Sequence, residues 1–237
     1  MYRNCIFDLY GTLVDISTNE NKKSVWEKMC EFYVFNGADY IYTELKRDYR
    51  RLMKIMYSEY PSYTCTEIDI RKLFKKLYEN KGVEPNDTLI DYTCWMFRIM
   101  STEKLKTFSG MNQMIEKLKK NNCNVYLLTN AQSIYTKKEL EYLKMDDMFD
   151  GILMSSDESV MKPSEEFFDK LFNKYGIERK GSIMIGDTYS TDIAGASRYG
   201  IDSIYIDNED GRYLDKNLHT YAVKGNDYDA IVDIILK

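Results

Sequence analysis

The stretch Cys5-Ile6-Phe7-Asp8-Leu9-Tyr10-Gly11-Thr12-Leu13-Val14-Asp15 decides the fold, because an apolar run there ends on a carboxylate and turns at once into Gly-Thr. Cys5, Ile6 and Phe7 read as a strand buried on both faces, and the glycine just past Asp8 lets the backbone turn away from the sheet. Asp8 then stands at the carboxyl end of a parallel strand, where open α/β sheets place their ligands.

Three later stretches carry matching chemistry. Val125-Tyr126-Leu127-Leu128-Thr129-Asn130 is a second apolar run, ending on a hydroxyl and an amide. Lys162-Pro163 sits in a polar turn before a helical pattern, and Ile183-Met184-Ile185-Gly186-Asp187-Thr188 leads through Tyr189, Ser190 and Thr191 to Asp192. Together they offer a nucleophile, a neutral donor, a cation and a second carboxylate pair, each expected at the same edge of one sheet. On these four stretches, in this order over essentially the whole length, the chain resembles the haloacid dehalogenase-like (HAD) hydrolase superfamily.

The composition sets limits. A chain of 237 residues with 44% apolar and 30% charged residues and only 3 prolines reads as a soluble, helix-rich globule, long enough for one large domain or a core with an insert. A net charge of −5 argues against a nucleic-acid surface, and Lys-rich runs such as Glu116-Lys117-Leu118-Lys119-Lys120 read as solvated helix faces. No signal peptide or spanning helix is visible, because Asp8, Gly11 and Asp15 interrupt the first apolar run. A cytoplasmic protein without a membrane partner is expected. Cys5, Cys30, Cys65, Cys94 and Cys123 are scattered without a C-x-x-C pair, so reduced thiols are expected and no zinc site. The single histidine, His219, excludes mechanisms that need two.

Along the chain, Ile16-Ser17-Thr18-Asn19-Glu20 reads as a polar link that caps the next helix. Four helical stripes follow: Val25 to Phe35, closed by Gly37; Tyr42 to Met56, closed by Tyr60-Pro61; Ile68 to Leu77, closed near Gly82; and Leu89 to Ile99. They suggest a small bundle inserted after the first strand, with most of its aromatic residues as core. From Ser101 onward, helices and strands alternate. The strands are expected at Thr129, at Gly151 to Ser155, at Asp187, at Ser203 to Ile206 and at Tyr221 to Val223, and a small-residue helix at Ile193-Ala194-Gly195-Ala196 packs close to the sheet. This pattern predicts an α/β fold with a doubly wound, Rossmann-like parallel sheet. The division expected is a core of residues 1–16 and 101–237 and a helical insert of residues 17–100. In the superfamily an insert at this point is a mobile cap over the active site, and such lids exclude water and select substrate.

Asp8 is the candidate nucleophile, since a carboxylate can attack phosphorus or an activated carbon and leave an aspartyl intermediate for water to hydrolyse. Asp8 and Asp187 supply hard oxygen ligands of the kind Mg²⁺ prefers, and the resemblance adds the backbone carbonyl of Tyr10. Thr129 offers a hydroxyl and Asn130 a backbone N–H to a phosphoryl oxygen, while Lys162 supplies positive charge. Gly11 and Thr12 sit in the turn expected to bring backbone amides near the phosphate. The resemblance gives Asp192 a supporting role, holding the lysine or binding the metal through water.

Tyr10 departs from the family's phosphatases, which usually place a second aspartate there as acid and then base. A phenol with pKa near ~10 is poorly matched to both steps, although it can donate a hydrogen bond. Tyrosine at this point resembles the 2-haloacid dehalogenases, whose halide leaves without a proton, but that branch lacks the metal-binding aspartate that Asp187 represents. The reading is a Mg²⁺-dependent hydrolase of a small phosphorylated metabolite. Metal-free 2-haloacid dehalogenation and a weakly active phospho-ligand-binding protein stand as alternatives. Substrate and oligomeric state are not legible.

Overall fold

The computed structural model describes residues 1–58, 65–208, 211 and 217–237. The opening run forms β1 (Asn4–Phe7), in which Cys5, Ile6 and Phe7 are fully buried. The segment expected as a polar link is instead a strand, β2 (Val14–Thr18). Four helices come next, α1 (Lys23–Phe35), α2 (Tyr42–Ser58), α3 (Ile70–Glu79) and α4 (Asp87–Ser101), and then β3 (Thr102–Thr107). β2 and β3 pair antiparallel, Val14 opposite Thr107, so both chain crossings between sheet and insert run in one ribbon. The sequence conceals this strand because its partner lies beyond the whole insert, and short polar strands carry little period-2 signal. Nor does a side chain from this segment cap α1: its N-cap is Lys22, with no side-chain cap bond.

The helix ends have local causes. Asp69 caps α3 by accepting from the Arg71 N–H at 2.9 Å, which starts the helix at Ile70 rather than at the buried Ile68. Asn86 caps α4 through the Leu89 N–H at 2.8 Å. The stop expected at Tyr60-Pro61 lies outside the described residues. Trp26, Tyr33, Tyr49, Phe74 and Phe97 form an aromatic centre for the four helices, whereas Phe35, expected in the core, is 90% exposed.

The remainder alternates as expected: α5 (Met111–Lys120), β4 (Asn124–Thr129), α6 (Ser133–Tyr142), β5 (Gly151–Met154), the short α7 (Ser155–Glu158), α8 (Glu165–Tyr175) and β6 (Ser182–Gly186). A π-helical turn, Tyr189–Ile193, runs into α9 (Ala194–Tyr199), followed by β7 (Asp202–Asp207), β8 (Tyr221–Lys224) and α10 (Tyr228–Leu236). Ser155 opens α7 rather than ending β5.

β1, β4, β5, β6, β7 and β8 form one parallel sheet in the order β5-β4-β1-β6-β7-β8. Side chains alternate between its faces. Cys5, Phe7, Val125, Leu127, Ile183 and Ile185 pack with α5 and α10, and Ile6, Tyr126, Leu128 and Met184 pack with α8 and α9. β4 passes the chain outward to β5 on one side and β6 passes it outward to β7 on the other. This topological switch leaves a crevice beyond the carboxyl end of β1. The fold is thus the doubly wound α/β sheet that the sequence predicts. Among the described residues no helix is long and apolar enough to cross a membrane.

Candidate active site

The strand register brings the four sequence stretches together. Phe7 pairs with Leu127 on one side and with Ile185 on the other, and the Asp8 N–H extends the ladder to the Ile185 carbonyl at 2.9 Å. Asp8, Thr129 and Asp187 therefore lie at the same edge of three adjacent strands, Thr129 buried at the end of β4.

Lys162 enters from the segment between α7 and α8 and is 1% exposed. Its Nζ lies 2.6 Å from Asp8 Oδ1 and 2.7 Å from Asp192 Oδ1. Burial alone would lower the Lys162 pKa, but Asp192 and Asp8 more than offset it, and the ammonium is held above its ordinary value. Its backbone is clamped by Asn130, whose Nδ2 donates to the Lys162 carbonyl at 3.0 Å and whose Oδ1 accepts from the Lys162 N–H at 2.8 Å. The side chain of Asn130 thus serves the lysine segment, a use the sequence does not announce.

Asp192 sits in the π-helical turn, 1% exposed, and its second oxygen accepts from the Thr188 N–H at 3.0 Å. A Cβ on Gly186 would stand 2.3 Å from Asp192 Oδ2, so only glycine lets this carboxylate reach the sheet edge. Gly11 plays the same part for Asp187. With φ at +85°, it leaves room where a Cβ would fall 2.2 Å from Asp187 Oδ2. Thr12, fully buried, donates to Asp187 Oδ1 at 3.3 Å. Gly11 and Thr12 are therefore packed behind Asp187, and the Gly11 N–H is already given to the Val14 carbonyl at 2.8 Å. Phosphate contact through the Gly11 N–H, the part the sequence suggested, is thereby taken up.

Three carboxylates and one ammonium leave this pocket short of positive charge. Asp8, Asp187 and Asp192 offer oxygens that all lie within 4.8 Å of one another. Lys162 serves Asp8 and Asp192, and among the described residues no basic side chain pairs with Asp187. Burial, followed by the charges of Asp8 and Asp192, pushes the Asp187 carboxyl up to about 7. An all-oxygen donor set with uncompensated negative charge fits a hard divalent cation.

Tyr10 lies two residues beyond Asp8 but directs its hydroxyl to α6. It donates to Glu139 in a very short hydrogen bond and lies 2.9 Å from Thr136 Oγ1. Glu139 is paired in turn with Arg98 of α4, at 2.6 Å through Nε and 3.3 Å through Nη2. Burial, then the Glu139 charge, holds the Tyr10 phenol well above its ordinary pKa. The hydroxyl is thus committed to the contact between the helical insert and α6. The sequence reading does not single out Arg98 and Glu139; their only signal there is an arginine and a glutamate within apolar helix stripes.

The haloacid dehalogenase-like hydrolase family model matches residues 33–206. The glyceraldehyde 3-phosphate phosphatase of Pyrococcus furiosus is 25% identical over 214 residues, 90% of this chain and 82% of that protein. The solved structure of the 2-haloacid dehalogenase from Pseudomonas syringae superposes with a TM-score of 0.70 at 21% identity, covering 100% of both chains. That of the HAD-hydrolase YfnB from Bacillus subtilis, bound to magnesium, gives a TM-score of 0.56 at 19% identity, covering 100% of this chain and 99% of that one. The chain belongs to the haloacid dehalogenase-like hydrolases.

Proposed function

We propose that the protein is a Mg²⁺-dependent phosphatase of small phosphorylated metabolites, with Asp8 as nucleophile and residues 17–100, which hold α1–α3 and all but the last residue of α4, as a cap on a core of residues 1–16 and 101–237. The observation that carries this reading is the trio Asp8, Asp187 and Asp192, whose negative charge exceeds what Lys162 offsets. The phosphatase named among the relatives and the magnesium-bound relative point the same way.

Asp8, Asp187 and the Tyr10 carbonyl would hold Mg²⁺, which when bound supplies positive charge against the repulsion between carboxylate and phosphoryl oxygens. The Asp8 carboxylate attacks phosphorus, the bond to the alcohol oxygen breaks, and an aspartyl-phosphate remains. Water then attacks that phosphorus, releasing phosphate and restoring Asp8. Lys162 and the Thr129 hydroxyl stabilise the transferring oxygens, with the Asn130 N–H beside them, and Asp192 holds the lysine in place. Tyr10, turned to Glu139, donates no proton to the leaving oxygen. That proton comes from solvent.

A second reading, metal-free 2-haloacid dehalogenation on Asp8, is favoured by one observation, the absence of an acid two residues beyond the nucleophile. The assay that separates the two is hydrolysis of p-nitrophenyl phosphate with Mg²⁺, beside chloride release from 2-chloropropionate without metal. The phosphatase reading expects the first activity, its loss in Asp8→Asn, and none of the second; the reverse pattern overturns it.

A further inference from the structure

Between the helical insert and the sheet edge lies a cavity of about 350 Å³ that begins at Tyr10 and Asn130, just beyond the ends of β1 and β4. On the phosphatase reading, on which the inference rests, it is the space into which the alcohol half of a phosphoester bound at Asp8 extends. The charged groups that line it are Glu20, Glu67 and Arg98.

Two of these are already committed. Glu67 accepts from the Ile68 N–H at 3.1 Å, Gln132 Nε2 at 3.0 Å, Ser155 Oγ at 2.9 Å and the Tyr57 hydroxyl at 3.3 Å. Arg98 is neutralised by Glu139. One charged group is left over. The Glu20 carboxylate feels the charge of Arg98 but has no hydrogen bond or ion pair of its own among the described residues. The cavity is therefore lined by an uncommitted carboxylate, while its one cation is already paired with Glu139.

We infer that this cavity selects phosphoesters whose alcohol part carries hydrogen-bond donors, hydroxyl or ammonium, and excludes those whose alcohol part carries an anion. Glu20 accepts from the donors. A carboxylate in the same place faces Glu20 and Glu67 with only Arg98, already paired with Glu139, to offset them, and like charges brought together in a half-buried site are disfavoured. The same reasoning weighs against a 2-haloacid, which brings its own carboxylate.

The test is calorimetric binding of three small probes to the full-length Asp8→Asn protein with Mg²⁺: O-phosphoethanolamine, glycerol 3-phosphate and phosphoglycolate. Both donor-bearing probes are expected to bind at least about tenfold tighter than phosphoglycolate, and the tighter of the two identifies ammonium or hydroxyl as the preferred donor. Glu20→Gln is expected to narrow the gap to phosphoglycolate several-fold. Equal affinities, a preference for phosphoglycolate, or no binding of any probe overturns the inference. Hydrolysis of p-nitrophenyl phosphate by the native protein, run alongside, judges the phosphatase reading separately from the order of affinities.

Discussion

The ammonium of Lys162 lies 2.6 Å from Asp8 Oδ1 while remaining 1% exposed, so the proposed nucleophile and a buried cation form one unit at the sheet edge. Removing one partner of a buried pair leaves the other charge uncompensated. Lys162→Met is therefore expected to destabilise the metal-free protein by about 3 kcal/mol and to abolish measurable phosphate release. Denaturant unfolding and an aryl phosphate assay check both; an unchanged unfolding midpoint would contradict the pairing.

Gly11 is close to irreplaceable for two independent reasons, its φ of +85° and the 2.2 Å approach of Asp187 to where a Cβ would stand. Gly11→Ala should cost about 1–2 kcal/mol from backbone strain alone. It should also displace Asp187, raising the Mg²⁺ concentration for half-maximal activity. A magnesium titration of the variant provides the check.

On the proposed mechanism Tyr10, its hydroxyl given to Glu139, is an anchor and not an acid. Tyr10→Phe should lose about 1–3 kcal/mol of stability, because buried Glu139 loses a hydrogen-bond donor, while kcat for an aryl phosphate stays within a few-fold. A hundredfold fall in kcat with the fold intact would mean that the phenol moves a proton.

With no protein acid at the leaving oxygen, turnover should depend steeply on the leaving group. Across a series of substituted phenyl phosphates, kcat/KM is expected to fall as the phenol becomes more basic. A flat series would point to an acid in the site.

Glu67 gives a pH signature. Burial raises its pKa above the ordinary 4.5, only partly offset by bonds from Ser155, Tyr57, the Ile68 N–H and Gln132. The folded state then binds more protons than the unfolded state above pH 4.5. The contribution of Glu67 to stability is full below that value and declines as pH rises through the folded pKa. Comparing unfolding free energies of native protein and Glu67→Gln between pH 4 and 7 should show a shallower decline in the variant, where Asp187, Asp192 and Glu20, also raised by burial, still contribute.

Features that repeat along the chain are legible in the sequence. The parallel strands announce themselves as apolar runs, and the positions of Asp8, Thr129 and Asp187 at their ends follow from that alone. The insert's helices are equally visible through stripes such as Val25, Met29 and Phe32. Features that depend on partners far apart in sequence stay hidden. β2 and β3 are strands only because they meet each other. Asn130 reads as the source of an N–H, although its amide side chain grips the Lys162 backbone, 32 positions further on. Tyr10 reads as a poor acid because it follows Asp8 by two positions, and only the packing of α4 against α6 reveals Glu139 and Arg98 as the groups that hold it. A side chain's position follows from its strand; the direction of its polar end depends on neighbours that a single sequence does not identify.

The central claim is that a divalent cation held beside Asp187 lets Asp8 take up a phosphoryl group. Phosphate release from p-nitrophenyl phosphate, measured first in EDTA and then after adding excess Mg²⁺, tests it most directly. The predicted result is no release in EDTA and recovery with Mg²⁺ in the native protein, with no recovery in Asp187→Ala. Full activity in EDTA would contradict it.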